Sequence, residues 1–194
     1  MKIAILTTKI QWFEPYAEEL SRKLGNIPIF NNHVDFDGNY DIIFIISYHK
    51  IIPQEVLKKN GHNIIFHESL LPKGKGWAPL FWQILEGKSN ISFTMIEASD
   101  GVDSGDIYMQ KMLELAGNEL NEELRDKQAK LTIQMCLEFV NNYEQYKTPV
   151  EQCGDESFYA KRSKEDSRLD IDKTIREQFN LLRIVNNDDY PAYF

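Results

Sequence analysis

The chain has few of the residues that build metal centres or disulfide frameworks. It contains two cysteines in 194 residues, Cys136 and Cys153, and neither forms a Cys-x-x-Cys pair or stands beside a histidine. This spacing favours neither a metal site nor a disulfide scaffold. We therefore expect Cys136 to pack as a small apolar side chain and Cys153 to be a surface thiol.

Long apolar runs are also missing. No stretch approaches the roughly 20 apolar residues that a membrane helix needs. Met1 and Lys2 lead directly into a strand-like apolar run, without the charged and apolar regions of a signal peptide. The sequence therefore predicts a cytoplasmic protein that does not contact membranes.

The chain also lacks a dinucleotide-binding motif and has fewer basic than acidic residues, and both features limit the ligands that it is expected to bind. The turn after the first apolar run has no Gly-x-Gly-x-x-Gly, which argues against NAD or FAD. The 22 Lys and Arg residues are outnumbered by 30 Asp and Glu, and the net charge of −8 would repel nucleic acid. A small phosphorylated substrate is still allowed, because a few local cations can outweigh the global field. We expect a small-molecule substrate and no nucleic-acid partner, and a homodimer is compatible with the sequence.

Apolar runs alternate with helical stripes along the chain. Strands are predicted at 3–6, 27–30, 41–47, 64–66, 91–98 and 107–115, and helices at 13–24, 53–57, 80–85, 118–140 and 170–185. The helix at 118–140 is predicted to begin with Asn118 as its N-cap. This alternation predicts an α/β fold, a doubly wound and mostly parallel sheet. We expect a catalytic domain over 1–146 and a loop-rich extension over 147–194 that ends in a helix.

The segment 63–110 contains the residues best suited to chemistry. His67 follows the apolar run 64–66 and should lie where a buried strand ends, the place where open α/β sheets collect ligands. Asp103 precedes another apolar run and could return beside His67, so that an imidazole and a carboxylate face one cleft. Each also has a structural alternative, a packed strand-end histidine and a turn carboxylate that caps backbone N–H groups.

This segment resembles the folate-dependent formyltransferases. Their shared pattern is His-x-Ser-Leu-Leu-Pro, a Gly and a Pro, a helix, and Asp-x-Gly-x-Ile-x-x-Gln. In this chain the first part reads HESLLP at 67–72, and the last reads DSGDIYMQ at 103–110. The loop KGKGW at 73–77 and the tail KRS at 161–163 look most like the branch that formylates amino sugars carried on nucleotides.

The resemblance implies a Rossmann-like fold and formyl transfer from the co-substrate 10-formyltetrahydrofolate to the amino group of a nucleotide-linked amino sugar. It implies His67 and Asp103 as catalytic residues. Folate would be bound by Ser47, Tyr48, Ile52, Leu71, Pro72, Gly101 and Val102. The substrate would be bound by Lys73, Lys75, Gly76, Trp77 and Arg162. The alternatives are another small amine such as glycinamide ribonucleotide, hydrolytic water, or a weakly active protein that binds folate or a nucleotide.

One position departs from the family pattern. Most members have an asparagine two residues before the histidine, where it helps to hold the oxyanion, and this chain has Ile65 there. Asn63 shares the strand face of Ile65 and His67 but lies about 7 Å further along, at ~3.3 Å per residue. Asn63 cannot simply substitute, so we expect a different oxyanion donor, slow turnover or altered chemistry.

Overall fold

The computed structural model describes residues 1–36 and 38–194 of the chain. Its strands are β1 (Ile3–Leu6), β2 (Ile29–Phe30), β3 (Ile42–Ile45), β4 (His62–His67), β5 (Lys75–Gly76), β6 (Asn90–Glu97), β7 (Ile107–Glu114) and β8 (Phe158–Tyr159). Within the described residues, six strands form a central sheet in the order β2-β1-β3-β4-β6-β7, while β5 and β8 form a small separate pair.

The helices are α1 (Glu14–Lys23), α2 (Gln54–Leu57), α3 (Pro79–Leu85), α4 (Asn121–Asn141), α5 (Tyr143–Tyr146) and α6 (Phe179–Ile184). β1 pairs in parallel with β2 and β3, and β3 pairs in parallel with β4. β6 and β7 then add antiparallel pairings. The mostly parallel α/β sheet predicted from the sequence is confirmed.

Period-2 alternation divides the core between the two faces of the sheet. Ile5, Phe44 and Ile64 pack on one face with side chains from α1 and α4, including Leu20 and Phe139. The opposite face buries a smaller cluster of Ala4, Leu6, Ile43, Ile45, Leu57 and Tyr40. Because both faces are covered, the central strands are apolar on both sides, which explains their continuous hydrophobic runs.

The N-terminus of α4 differs from the prediction. Asn118 is not the N-cap, because the helix begins at Asn121 and Leu120 precedes it. The carboxylate of Glu119 accepts the backbone N–H groups of Ala116 and Gly117 at 2.6 and 3.0 Å, and the Glu123 carboxylate accepts that of Leu120 at 2.9 Å. The Glu123 carboxylate therefore satisfies the Leu120 N–H that an Asn118 cap could have served, and Glu119 fixes the turn before the helix.

The C-terminal helix is shorter than predicted. α6 covers Phe179–Ile184, and the stretch 170–178 forms turns instead. The Gln178 side chain donates to the Asp170 carbonyl at 3.0 Å and accepts the Asp170 N–H at 2.6 Å. Ile171 and Ile175 are 79% and 72% exposed, so their helical spacing has no packing surface to stabilise a helix.

Cys136 is buried and Cys153 is exposed, as expected from the sequence. In the described part of the chain, no helix is both long and apolar enough to cross a membrane.

Candidate active site

His67 ends β4 and is buried, with 5% of its surface exposed. Its Nε2 lies 2.7 Å from the carbonyl oxygen of Gly74. A carbonyl can only accept, so Nε2 carries the hydrogen in this contact. The other ring nitrogen, Nδ1, lies 3.5 Å from Oδ2 of Asp103. The imidazole is thus fixed by the backbone on one side and faces a carboxylate on the other.

Asp103 reaches His67 through the loop between β6 and β7. The loop leaves the sheet beside Asn63, whose carbonyl accepts the Ala98 N–H at 2.7 Å, and returns along β4 to His67. Asp103 has a left-handed backbone with φ of 47°. The Gln152 amide holds it there by donating to the carbonyls of Asp103 and Gly105 at 2.8 and 2.7 Å. A strained conformation fixed by a distant segment is typical of functional loops.

The Asp103 carboxylate also bonds to the glycine loop after β4. Its Oδ2 accepts the Gly76 N–H at 2.8 Å. Gly76 has φ of 98°, and a Cβ there would lie 2.4 Å from the carbonyl oxygen of Tyr159 in β8. The Ser157 hydroxyl accepts the Gly74 N–H at 2.9 Å. The region 147–194 therefore supports Asp103 directly through Gln152, and it supports the glycine loop through Ser157 and β8.

A second layer of polar groups holds the turn after His67. Thr94, which pairs with His67 across β4 and β6, donates its hydroxyl to the Ser69 carbonyl at 2.6 Å. Gln110 donates to the Thr94 hydroxyl at 3.0 Å. Gln110, the last residue of the Asp-x-Gly motif, thus acts on the turn through Thr94 and does not itself contact His67 in this structure.

Asn63 is not available to replace the missing asparagine. Its side-chain amide donates to the Leu57 carbonyl and to the Glu97 carboxylate, each at 3.1 Å. Its side-chain oxygen accepts from Asn60 at 3.1 Å. Ile65, at the position of the family's asparagine, packs beside the smaller core cluster. The structure agrees with the expectation that Asn63 cannot simply substitute for the missing asparagine.

The predicted folate residues lie in three loops. Ser47 and Tyr48 follow β3, where Ser47 has φ of 51° and the Tyr48 hydroxyl lies 2.7 Å from Nδ1 of His33. Ile52 packs at the edge of the smaller core cluster. Leu71 and Pro72 are buried in the turn after His67, and Gly101 and Val102 are exposed near the tip of the Asp103 loop. The contacts of Asp103 with His67 and Gly76 bring the loop after β4 and the loop between β6 and β7 together.

The predicted substrate residues do not form one group. Lys73 is exposed, whereas Lys75 is buried and paired with Glu156, with its Nζ 2.5 Å from the carboxylate. Gly76 bonds to Asp103 as described above. Trp77 is 55% exposed with the Lys161 ammonium 4.9 Å above its ring, and Arg162 is buried. Trp77, Lys161 and Arg162 line the same cavity, and the charge of Lys75 is neutralised elsewhere.

This cavity has a volume of about 1840 Å³. Besides the residues above, its walls include Trp12, His49 and Arg125. Sequence reasoning did not single out Arg125, because a charged residue on a long helix is usually on its solvated face. One sequence feature could have indicated Arg125. It directly follows Leu124, a residue of the apolar stripe of α4, and lies close to the start of the helix.

The geometry of this site can be compared with known proteins. The formyl transferase family profile matches residues 34–140. The chain is 34% identical over 157 residues to the methionyl-tRNA formyltransferase of Ehrlichia ruminantium (strain Gardel), covering 80% of this chain and 50% of that protein.

The chain belongs to the formyl transferase family. The His-x-Ser-Leu-Leu-Pro turn and the start of the Asp-x-Gly loop both lie inside the matched region, as does most of α4.

Solved structures show the same fold. The methionyl-tRNA formyltransferase from Clostridium thermocellum superposes with a TM-score of 0.80 at 21% identity, covering 98% of this chain and 86% of that one. A sugar N-formyltransferase from Shewanella sp. superposes with a TM-score of 0.70 at 16% identity, covering 100% of this chain and 92% of that one. The chain spans about half the length of the methionyl-tRNA formyltransferase that it matches in sequence.

Proposed function

We propose that this protein transfers a formyl group from 10-formyltetrahydrofolate to the amino group of a nucleotide-linked amino sugar, with His67 and Asp103 at the reaction centre. The observation that carries the proposal is the approach of His67 Nδ1 to the Asp103 carboxylate, 3.5 Å, within the family's motif. His67 lies at the end of β4 and Asp103 in the loop between β6 and β7, and hydrogen bonds from Gly76 and Gln152 hold the left-handed Asp103 in place.

The chemistry requires a nucleophilic amine and a site for negative charge. The amine nitrogen attacks the formyl carbon, the carbonyl oxygen becomes an oxyanion, and the bond from carbon to N10 of the folate then breaks. Asp103 accepts the proton that the amine loses. His67 stabilises the oxyanion, and N10 of the leaving tetrahydrofolate takes up a proton. Loss of one well-placed oxyanion donor typically costs about 2.7–4 kcal/mol of activation free energy.

The contacts of His67 favour Nδ1 over Nε2 for this proposed role. The Nε2–H donates to the Gly74 carbonyl, so this hydrogen is engaged while the glycine loop stays in place. Nδ1 points toward Asp103 and is the nitrogen open to proton exchange with the carboxylate. In the proposed step, the proton that Asp103 takes from the amine passes to Nδ1, where it stabilises the developing oxyanion, and it is then delivered to N10 of the leaving tetrahydrofolate. We therefore propose Nδ1 as the nitrogen through which His67 donates.

Two observations favour a small acceptor. The chain carries a net charge of −8, which disfavours a large polyanion. The cavity of about 1840 Å³ beside Trp77 offers basic and aromatic side chains to a compact phosphorylated ligand. The second candidate acceptor is methionyl-tRNA, because the Ehrlichia ruminantium relative at 34% identity is a methionyl-tRNA formyltransferase.

An acceptor screen tests the proposal. Release of tetrahydrofolate from 10-formyltetrahydrofolate is measured with nucleotide-linked amino sugars, glycinamide ribonucleotide, methionyl-tRNA or no amine. We expect release that depends on an amino-sugar nucleotide and gives one formamide for each tetrahydrofolate. Release with methionyl-tRNA alone would support the second candidate. Release without any amine would indicate hydrolysis, and folate binding without release would indicate a binding protein.

A further inference from the structure

Three buried or partly buried arginines of this chain differ in how their charges are neutralised. Arg183 is buried and pairs with the buried Glu119, its Nη2 lying 3.1 Å from the carboxylate. Its Nε also donates to the Glu119 carbonyl at 3.1 Å, and its Nη1 to Asn180 at 3.1 Å. Such complete pairing is what a buried charge needs for stability alone.

Arg162 lacks this pairing. It is only 6% exposed, yet within the described residues its guanidinium forms no ion pair with a carboxylate. One terminal nitrogen donates to the Ser167 hydroxyl at 3.1 Å and the other only weakly to the Ile184 carbonyl at 3.5 Å. Its buried Nε has no hydrogen-bond partner among the described atoms. Burial lowers the pKa of Arg162.

Arg125 approaches the same cavity from the first turn and a half of α4. Its guanidinium lies 4.5 Å from the ring centre of Trp12 and 4.5 Å from that of Phe81. Its Nη1 donates to the Gln128 side chain at 2.9 Å, and in the described chain it too forms no ion pair with a carboxylate. Burial lowers its pKa to about 10. The aromatic contacts orient the planar cation, and the negative charges of Glu68 and Asp189 oppose its desolvation without outweighing it.

Both arginines belong to one wall of the cavity. Arg162 lies 5.9 Å from the centre of the same Phe81 ring that Arg125 contacts, and both line the cavity together with Lys161 and Lys164. The carboxylates that line it, Glu122, Glu123, Asp188 and Asp189, are all exposed. Solvent screens those rim charges more strongly than it screens the less exposed arginines.

We infer that Arg125 and Arg162 form a binding site for a phosphate or diphosphate group, set in the wall of this cavity. Guanidinium forks recognise phosphate oxygens by charge-assisted and bidentate hydrogen bonds. This inference rests on the proposed function and deepens it, because it assigns the phosphate of the acceptor to Arg125 and Arg162.

The site is also connected to the reaction centre. Gln128, which accepts from Arg125, donates to the carboxylate of Glu68 at 2.5 Å. Glu68 directly follows His67 in the turn after β4. A phosphate bound to Arg125 would therefore be connected to the turn after His67 through the hydrogen bonds of Gln128 and Glu68.

The test uses inorganic pyrophosphate as the probe and calorimetry on the full chain, without folate or amine. We expect the unmodified protein to bind pyrophosphate with an affinity that falls as salt rises. Arg125→Met and Arg162→Met should each weaken binding about 10-fold to 100-fold, the range expected for loss of a charge-assisted hydrogen bond. Arg22→Met is the matched control, because Arg22 is exposed on α1 and, among the residues that the structure describes, its one ion pair is with Glu18 at 3.9 Å.

Melting temperature separates a binding role from a structural one. Replacing an unpaired, desolvated cation by a hydrocarbon of similar length should leave the melting temperature unchanged or raise it. No pyrophosphate binding at millimolar concentration, or unchanged binding in both variants, would overturn the inference. The inference would also be overturned if both methionine variants melted at a lower temperature while properly folded Arg125→Lys and Arg162→Lys bound pyrophosphate as tightly as the unmodified protein.

The inference and the proposed function can fail separately. Pyrophosphate binding through both arginines without any formyl transfer would retain the anion site and reject the enzyme. Formyl transfer with an unchanged acceptor KM in Arg125→Met and Arg162→Met would retain the enzyme and reject the anion site.

Discussion

Strand β4 begins and ends with a histidine, and the two ends of the strand are built differently. At the amino end, His62 lies between two hydroxyls, with Nδ1 2.8 Å from Tyr108 and Nε2 2.9 Å from Tyr143. Tyr108 donates to the Glu97 carboxylate at 2.6 Å, so it accepts from Nδ1–H, and Nε2 accepts from Tyr143. Burial lowers the pKa of His62, against the opposing effects of Glu97 and Asp41. This end is fully hydrogen-bonded around a neutral ring.

At the carboxyl end, His67 instead meets a carbonyl and a carboxylate. The carboxylate comes from a residue with left-handed backbone, and the carbonyl belongs to a glycine with φ of 74°. Both loops are held by hydrogen bonds from the region 147–194. The comparison shows that the two histidines of one strand differ in what faces them. Neutral hydroxyls fix the ring of His62, whereas a carboxylate faces the ring of His67, the arrangement on which the proposed chemistry rests.

The largest effect should come from removing the base at the carboxyl end. Asp103→Asn keeps an oxygen that can accept the Gly76 N–H, and asparagine tolerates the left-handed backbone. We expect formyl transfer to fall by about 10²-fold to 10⁴-fold, the usual contribution of a general base, with little change in melting temperature. The measurement is single-turnover transfer. Asp106→Asn, an exposed carboxylate three residues away, is the control, and an equal loss there would contradict a special role for Asp103.

The next effect concerns the missing oxyanion amide. Ile65→Asn would place an amide where the family has one, two residues before His67 on the same strand face. If His67 stabilises the oxyanion alone, turnover at saturating donor should rise by up to about 10²-fold. The free energy of unfolding should fall by about 1–3 kcal/mol, because the new amide is partly buried with imperfect partners. Ile65→Leu controls for repacking, and slower turnover in Ile65→Asn alone would show that another donor already fills the site.

At the amino end of β4, we expect a substitution of His62 to lower the stability of the protein and to leave the rate of formyl transfer unchanged. His62→Ala leaves the Tyr143 hydroxyl without its acceptor and opens a cavity beside Phe139. The free energy of unfolding should fall by about 1–3 kcal/mol, as for a buried group left unsatisfied. Denaturant titration measures this, and His49→Ala is an exposed control. A loss of turnover per folded molecule as large as that of Asp103→Asn would erase the distinction between the two ends.

The smallest effect is a pH dependence of stability from His62. Its folded-state pKa lies below the ordinary value of 6.5, so the unfolded chain binds the proton more readily. The contribution of neutral His62 is therefore complete above about pH 6.5 and is lost as the pH falls below it. We expect melting temperatures between pH 7.5 and 5 to fall more steeply in the unmodified protein than in His62→Gln. Parallel curves would show that His62 is not the titrating group.

The sequence predicted those features that depend on burial periodicity or on a family motif. The strands around Phe44 and Ile64 were predicted from continuous apolar runs, and the buried stripe of α4 was predicted from its helical period. The same reasoning failed at Ile171 and Ile175, where helical spacing exists without a surface to pack against. His67 and Asp103 were brought together as expected. Arg125 and Gln152 were not foreseen, because their roles depend on distant segments that no local pattern encodes.

The central claim is that the carboxyl end of β4 is the reaction centre for formyl transfer. It is tested most directly by single-turnover transfer from 10-formyltetrahydrofolate to an amino-sugar nucleotide, with melting temperatures recorded on the same samples of unmodified protein, His67→Ala and His62→Ala. We predict that transfer per folded molecule is about 10²-fold to 10³-fold slower in His67→Ala, which should also melt at a lower temperature because a buried side chain is removed. His62→Ala should retain its rate per folded molecule and melt at a lower temperature. Undiminished transfer in folded His67→Ala, or no amine-dependent transfer by a folate-binding unmodified protein, would contradict the account.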